Sequence, residues 1–299
     1  MGLSLIITGA EGFLGRAVTR AARARRHAVR ALGRADLDLA RDDPGPVLDG
    51  ADCVIHLAGS LSGDRAVQAR DTLGATERLI AALSAMPLPP RVVLASSVAV
   101  YDADASGIIT EATPIEPRPA RRDAYAQAKL AQEAMLRASG LPHTILRPGA
   151  ILGPGRIWNA HLGPVIGGVL VMMEQRGEVP LVSIDDCAQA FVLAAEGPGE
   201  GRALNILGRD RPTRARFVAA LRAEGWPRHV LPLNWRVAMP LAWCLAPLGA
   251  RMPGLLRPAV LRARMAPVTY DIAAAEAALG WTPAEDFETA LARAREGAG

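Results

Sequence analysis

The sequence is poor in the residues that build metal centres and disulfide frameworks. Its three cysteines, Cys53, Cys187 and Cys244, sit in apolar segments far apart, with no C-x-x-C pair. That spacing argues against a zinc knuckle and against a disulfide-stapled scaffold. Five histidines, His27, His56, His143, His161 and His229, are equally dispersed and make no metal-ligand pattern, so no metal is expected. Internal repeats and low-complexity tracts are absent. So is a long apolar run. The most apolar later stretch, Val237 to Ala250, is interrupted by Pro240 and Pro247 and falls short of the roughly 20 residues that cross a bilayer. An apolar strand pattern begins at Leu3 and leaves no room for a signal peptide, and Ile6 stands where an N-myristoylation motif needs Ser or Thr. A soluble cytoplasmic protein with no membrane span is expected. The net charge of +4 comes from scattered arginines, with a local cluster at Arg20, Arg23, Arg25 and Arg26. No nucleic-acid recognition module accompanies it, so it reads as a solvated helix face and nucleic acid is not an expected partner.

What is present is alternation. Leu3–Ile7, Ala28–Leu32, Ala51–Gly59, Arg91–Ser97 and Thr144–Arg147 read as strands. Helical patterns separate them over Arg16–Arg26, Thr72–Ala85 and Tyr125–Ser139, with Pro87, Gly140 and Pro148 as stops. Strands alternating with helices imply right-handed βαβ units and a parallel sheet covered on both faces. Past residue 150 the rhythm is irregular, with short strands at Leu181–Ile184 and Leu204–Ile206 around a helix from Asp185 to Glu196. Residues 1–150 therefore form the nucleotide-binding domain, which also receives segments near 181–206. Residues 151–299 form mainly a smaller substrate-binding lobe, interleaved with the first. Its place is over the C-terminal edge of the sheet, where open α/β folds bind ligands.

Two constellations carry chemistry. Between the first strand and first helix lies Thr8-Gly9-Ala10-Glu11-Gly12-Phe13-Leu14-Gly15. Free N–H groups at a helix N-terminus attract phosphate, and glycines allow the tight turn and close backbone approach. The second strand ends at Gly33-Arg34 with no carboxylate before Asp36. An arginine fork there suits a 2′-phosphate, so NADP is preferred over NAD. The second constellation is Tyr125-x-x-x-Lys129, one βα unit after Ser96-Ser97. Residues four apart share a helix face, and an ammonium beside a phenol lowers its pKa toward general acid/base use. A serine at a strand end can hydrogen-bond the reacting oxygen.

Together these residues resemble the extended short-chain dehydrogenase/reductase family, also called the NAD-dependent epimerase/dehydratase family. The loop Thr8–Gly15 is similar to its T-G-A-x-G-F-L-G turn, and His56-Leu57-Ala58-Gly59 to its H-L-A-A/G strand end. Ser96–Tyr101 is similar to S-S-x-x-V-Y, Tyr125–Lys129 to Y-x-x-x-K, and Leu146–Gly149 to L-R-P-x. Gly153-Pro154-Gly155, Ile184-Asp185-Asp186 and Leu279–Pro283 resemble its G-P-G, V-D-D and L-G-W-x-P elements. The resemblance implies a Rossmann-type doubly wound α/β fold with a smaller C-terminal lobe. It implies that Tyr125 is the acid/base, that Lys129 binds the nicotinamide ribose and tunes Tyr125, and that Ser97 polarises the reacting oxygen. NADP or NAD would lie along Gly9, Gly12, Phe13, Leu14, Gly15, Arg34, Asp38, Leu39, Leu57, Ala58, Gly59, Tyr125, Lys129 and Pro148. Substrate would contact Ser97, Val98 and Ala150. His56 is read as structural, and a homodimer is implied.

Departures from the family narrow the substrate. Where nucleotide-sugar members carry a diphosphate-binding arginine, this sequence has Val179, and Ala150 replaces a frequent asparagine. Asp71 replaces another asparagine with no evident reason. Leu231–Trp235, Trp243 and the 237–250 stretch resemble the C-terminal lobes of hydroxysteroid-dehydrogenase-like members, and either line an apolar pocket or pack the lobe. The leading expectation is an NAD(P)-dependent oxidoreductase interconverting a ketone and a secondary alcohol on a mostly apolar small molecule. The alternative is a nucleotide-sugar epimerase or reductase with tightly held coenzyme. A third reading, a non-catalytic dinucleotide sensor, sits poorly with an intact Tyr125 and Lys129.

Overall fold

A computed structural model describes residues 2–197, 201–245, 255 and 257–296. Residues 246–250 of the apolar stretch noted above lie outside the described residues.

Six parallel strands form the central sheet: β1 (Ser4–Thr8), β2 (Ala28–Leu32), β3 (Cys53–His56), β4 (Arg91–Ala95), β5 (His143–Pro148) and β6 (Ala203–Ile206). Their order is β6-β5-β4-β3-β1-β2, so the topology reverses between β1 and β3. β1, β3 and β4 are almost wholly buried, as continuous apolar runs covered on two faces require. Helix α1 (Phe13–Ala24) and helix α4 (Ile184–Glu196) pack together on one face, around Val18, Ala22, Phe191 and Ala195. Helices α2 (Ala75–Ser84) and α3 (Ala124–Ala138) cover the other, around Leu79, Leu83 and Leu136. This is the mixed α/β, Rossmann-type arrangement anticipated from the sequence. One anticipated segment goes elsewhere. Strand Leu181–Ser183 pairs with Ala150–Leu152 outside the central sheet, while α4, β6 and the later helix Ala273–Leu279 return to it.

The smaller lobe has its own cores. One packs Leu162, Leu170, Val179, Phe217 and Phe287. Another packs Val171, Met173, Trp235, Ala238 and Ala242, joining strand Val169–Met172 to helix Trp235–Leu245. None of the described helices is long and apolar enough to cross a membrane.

Candidate active site and coenzyme cleft

The chain turns sharply after β1. Gly9 has φ +68°, and a Cβ there would stand 2.8 Å from the Ala58 nitrogen. A Cβ on Gly15 would come within 2.2 Å of the Gly9 carbonyl oxygen. Only glycine permits that closeness between helix and loop. The four helices starting at Arg65, Ala124, Ile184 and Arg214 are capped by Asp64, Asp123, Ser183 and Thr213. Helix α1 starts at Gly12 with no side-chain cap and no acid in its first turn. Its first N–H groups thus suit an outside anion. They border a cleft of about 230 Å³ lined by Gly9, Gly12, Arg34, Asp38, Leu39, Leu57, Ala58 and Gly59. Phe13 and Leu14 turn their side chains away from it: Leu14 joins the core, and Phe13 lies 4.6 Å from the Arg156 guanidinium. Neither of these two residues lines the cleft.

Beyond the end of β2 the cleft is more acidic than the sequence suggests. Arg34 lies 3.4 Å from Asp71, which also receives a 2.6 Å contact from Arg70. Asp71, unexplained in the sequence, is thus Arg34's counter-ion. The arginines hold its carboxyl below the usual range. Glu11 also lines the cleft and lies over Gly33, where any Cβ would sit 2.3 Å from the Glu11 carboxyl carbon. The acid absent from the end of β2 is therefore supplied in space by the loop. Gly33 is the residue that leaves it room.

Asp123 caps α3 through the Ala126 N–H at 2.9 Å, setting Tyr125 in the first turn and Lys129 one turn on. Ser97 follows β4, its hydroxyl accepting from the Ala99 N–H at 3.2 Å. Burial raises the Tyr125 phenol, and its hydrogen bond to Ser97 pulls the other way. The expected lowering by Lys129 is not what the geometry provides. The ammonium is 5.9 Å from the ring centroid and donates instead to Ala95 O at 2.7 Å and Gln132 Oε1 at 2.9 Å. Burial lowers Lys129 to about 8. It is the only lysine in the chain; the rest of the 34 basic side chains are arginines. Lysine is the basic residue whose pKa responds to burial, so its rarity is a signal in the composition that no motif conveys.

Behind Lys129 runs a buried polar chain. Gln132 donates to Thr76 Oγ1 at 2.6 Å, and Thr76 donates to Thr72 O at 2.7 Å. With its proton committed, Thr76 accepts from His56 Nε2 at 3.1 Å, so His56 Nδ1 accepts from Thr8 Oγ1 at 2.8 Å. Burial holds His56 neutral, pushing it down to about 3. Thr8 of the glycine loop and Lys129 are thus tied through three side chains, His56, Thr76 and Gln132, of which the last two carried no sequence motif. Arg147, from the L-R-P segment, is occupied by Glu133 at 2.9 and 2.7 Å.

A larger cavity of about 770 Å³ is lined by Ser97, Val98, Tyr125, Pro148 and Ala150 together. Three arginines that the sequence did not flag line it as well: Arg122, Arg156 and Arg264. Arg122 is buried, donates to Tyr101 O at 2.6 Å and leaves Nε without a partner. Arg264 makes one 3.3 Å bond to Asp123. The apolar C-terminal residues are not in this cavity. Trp235 packs inside the lobe, Leu233 lines a separate pocket beside Glu174, and Trp243 is 60% exposed. Val179 is fully buried in the lobe core.

Comparison with known proteins agrees with this architecture. The model of the NAD dependent epimerase/dehydratase family matches residues 5–206, and the chain belongs to that family. No curated protein matches it in sequence. Among solved structures, MoeE5 in complex with UDP-glucuronic acid and NAD superposes with TM-score 0.73 at 22% identity, covering 97% of each chain. UDP-glucuronic acid 4-epimerase from Bacillus cereus, with UDP-glucuronic acid and NAD, gives 0.72 at 18% identity, covering 99% of this chain and 98% of that one. UDP-glucose 4-epimerase from Thermotoga maritima with UDP-glucose gives 0.73 at 18%, with the same coverage. Likeness at these identities speaks to the fold.

Proposed function

We propose that the protein is an NAD-dependent epimerase acting on a secondary alcohol of an anionic, nucleotide-sugar-like substrate. The observation that carries this reading is the set Arg122, Arg156 and Arg264 around the cavity that holds Ser97 and Tyr125. Asp102 and Asp123 line the same cavity and Arg264 pairs with Asp123, so the arginines leave a net positive charge that a diphosphate or carboxylate answers and a mostly apolar substrate does not. What the superposed structures bind is consistent with it.

The uncapped start of α1, with Gly9, Gly12 and the Phe13 and Leu14 N–H groups, fits a pyrophosphate. When bound, the nicotinamide supplies reversible hydride acceptance. The chain's own part is proton handling. Tyr125 takes the proton of the substrate hydroxyl and returns it. Ser97 holds the same oxygen, and Lys129 has one N–H beyond those given to Ala95 and Gln132 for a ribose hydroxyl. NAD rather than NADP is the coenzyme we infer. Glu11, Asp38 and Asp71 crowd the adenosine end, and Arg34 is already paired, so a 2′-phosphate meets net repulsion. The homodimer implied by the family resemblance is retained as part of this proposal.

A second reading, one-way carbonyl reduction, is favoured by buried Val179 where nucleotide-sugar members carry an arginine. One experiment separates them. Protein incubated with UDP-glucose or UDP-glucuronic acid, with no coenzyme added beyond what it retains, is expected to give the C4 epimer by NMR. Steady consumption of NADH or NADPH with simple ketones, and no epimer, would establish the second reading instead.

A further inference from the structure

From Gly225 to Tyr270 the sequence contains no aspartate or glutamate but six arginines and three of the five tryptophans. The whole chain carries only +4, so the remainder is net acidic. Positive charge and tryptophan are thus gathered in one segment, at whose centre lies helix Trp235–Leu245. Its inner face, Trp235, Ala238 and Ala242, is buried against the lobe. Its outer face is Arg236, Val237, Pro240, Leu241, Trp243 and Cys244, with Val237 67%, Leu241 57% and Trp243 60% exposed. A surface helix of a water-soluble domain normally turns polar residues outward, and one apolar all round has a second apolar partner.

The neighbouring strands extend the patch. Val171 packs with Trp235, and its parallel partner Leu231 shares its sheet face yet is 54% exposed. Ile166, paired with Val169 on that same face, is 65% exposed. Arg228 and Arg236 are exposed beside these residues, with no carboxylate in ion-pair range among the described residues. Helix Pro258–Met265, which contributes Ala263 and Arg264 to the large cavity, packs against the helix.

We propose that this face docks on an anionic lipid surface, independently of the reaction assigned above. The helix spans only about 16 Å at 1.5 Å per residue, so it lies in the interface rather than crossing it. Tryptophan and leucine enter the headgroup boundary while the arginines meet lipid phosphates. A second copy of the chain is the poorer occupant. In a two-fold contact each patch would bring its arginines to the other's, and no acid between 225 and 270 answers them.

The test is co-sedimentation of the full chain with vesicles of phosphatidylcholine alone or with roughly 30% phosphatidylglycerol. Expected is binding to the anionic vesicles, about tenfold weaker on neutral ones, and weakened again by high salt. The exposed-face variant Leu241→Glu/Trp243→Glu should lose it about tenfold while keeping the wild-type melting temperature and NAD affinity. Arg228→Glu/Arg236→Glu should lose the salt-dependent part. No binding to anionic vesicles, or equal binding to both kinds, overturns the proposal. So does a dimer in ultracentrifugation that the Leu241→Glu/Trp243→Glu pair dissociates, which would assign the face to a second copy.

Discussion

The two clefts of the molecule carry opposite charge. In the cleft beside the glycine loop, Glu11, Asp38 and Asp71 surround one arginine, and that arginine is spent on Asp71. In the cavity beyond Tyr125, Arg122, Arg156 and Arg264 face Asp102 and Asp123, and Arg122 Nε has no partner. Arg156 lines the larger cavity and lies over the ring of Phe13, in the glycine loop. Under the proposed function, the contrast sorts charge by ligand. A ribose with free hydroxyls suits carboxylate acceptors, and an anionic substrate suits arginines. A chain of net charge +4 therefore says little about either site until its folding has distributed that charge.

The largest effect is expected in the larger cavity. Tyr125→Phe should lower kcat about a thousandfold, read by epimer formation, with NAD affinity unchanged. If turnover persists, neither cleft serves the assigned chemistry. Next, Arg264→Ala should raise KM for the nucleotide sugar about tenfold with kcat nearly constant, because a charge-assisted hydrogen bond is removed from ground and transition state alike. An uncharged ketone should show no such penalty, and an equal loss on both would erase the contrast.

In the acidic cleft the effects are smaller and opposite in sign. Glu11→Gln/Asp71→Asn removes two carboxylates and releases Arg34, so NADP affinity should rise about fivefold while NAD weakens, measured by fluorescence titration. Below about 8 the Lys129 ammonium has three donors, two held by Ala95 and Gln132. Above it the amine keeps two hydrogens, both committed, and loses its charge. NAD affinity should therefore fall about threefold as pH rises through 8, and the step should vanish in Lys129→Met.

The sequence was most legible where local rules are strong. Period and punctuation located all six central strands within a few residues, because buried parallel strands are continuous apolar runs bounded by turn residues. Ser97, Tyr125 and Lys129 were visible because their backbone setting is local: a strand end, and one turn of one helix. Their surroundings were not. Glu11 and Gly33 are 22 positions apart and meet only because β1 and β2 are neighbours. Thr8, His56, Thr76 and Gln132 come from four segments and form one hydrogen-bonded line only after the sheet closes. The apolar stretch near 237–245 illustrates the opposite failure, since apolar sequence does not say whether a residue faces a pocket, a core or the outside.

By itself, then, the chain's order of residues determined the sheet, the glycine turn with its uncapped helix start, and the placing of Tyr125, Lys129 and Ser97. Those depend on backbone conformation and on spacings of a few residues. The sign of charge in each cleft, the partner that occupies Arg34, the setting that brings Lys129 to about 8 and the exposure of Leu241 and Trp243 were decided in three dimensions. Electrostatic energy and burial depend on distance and on displaced water, and neither exists until distant segments are packed together.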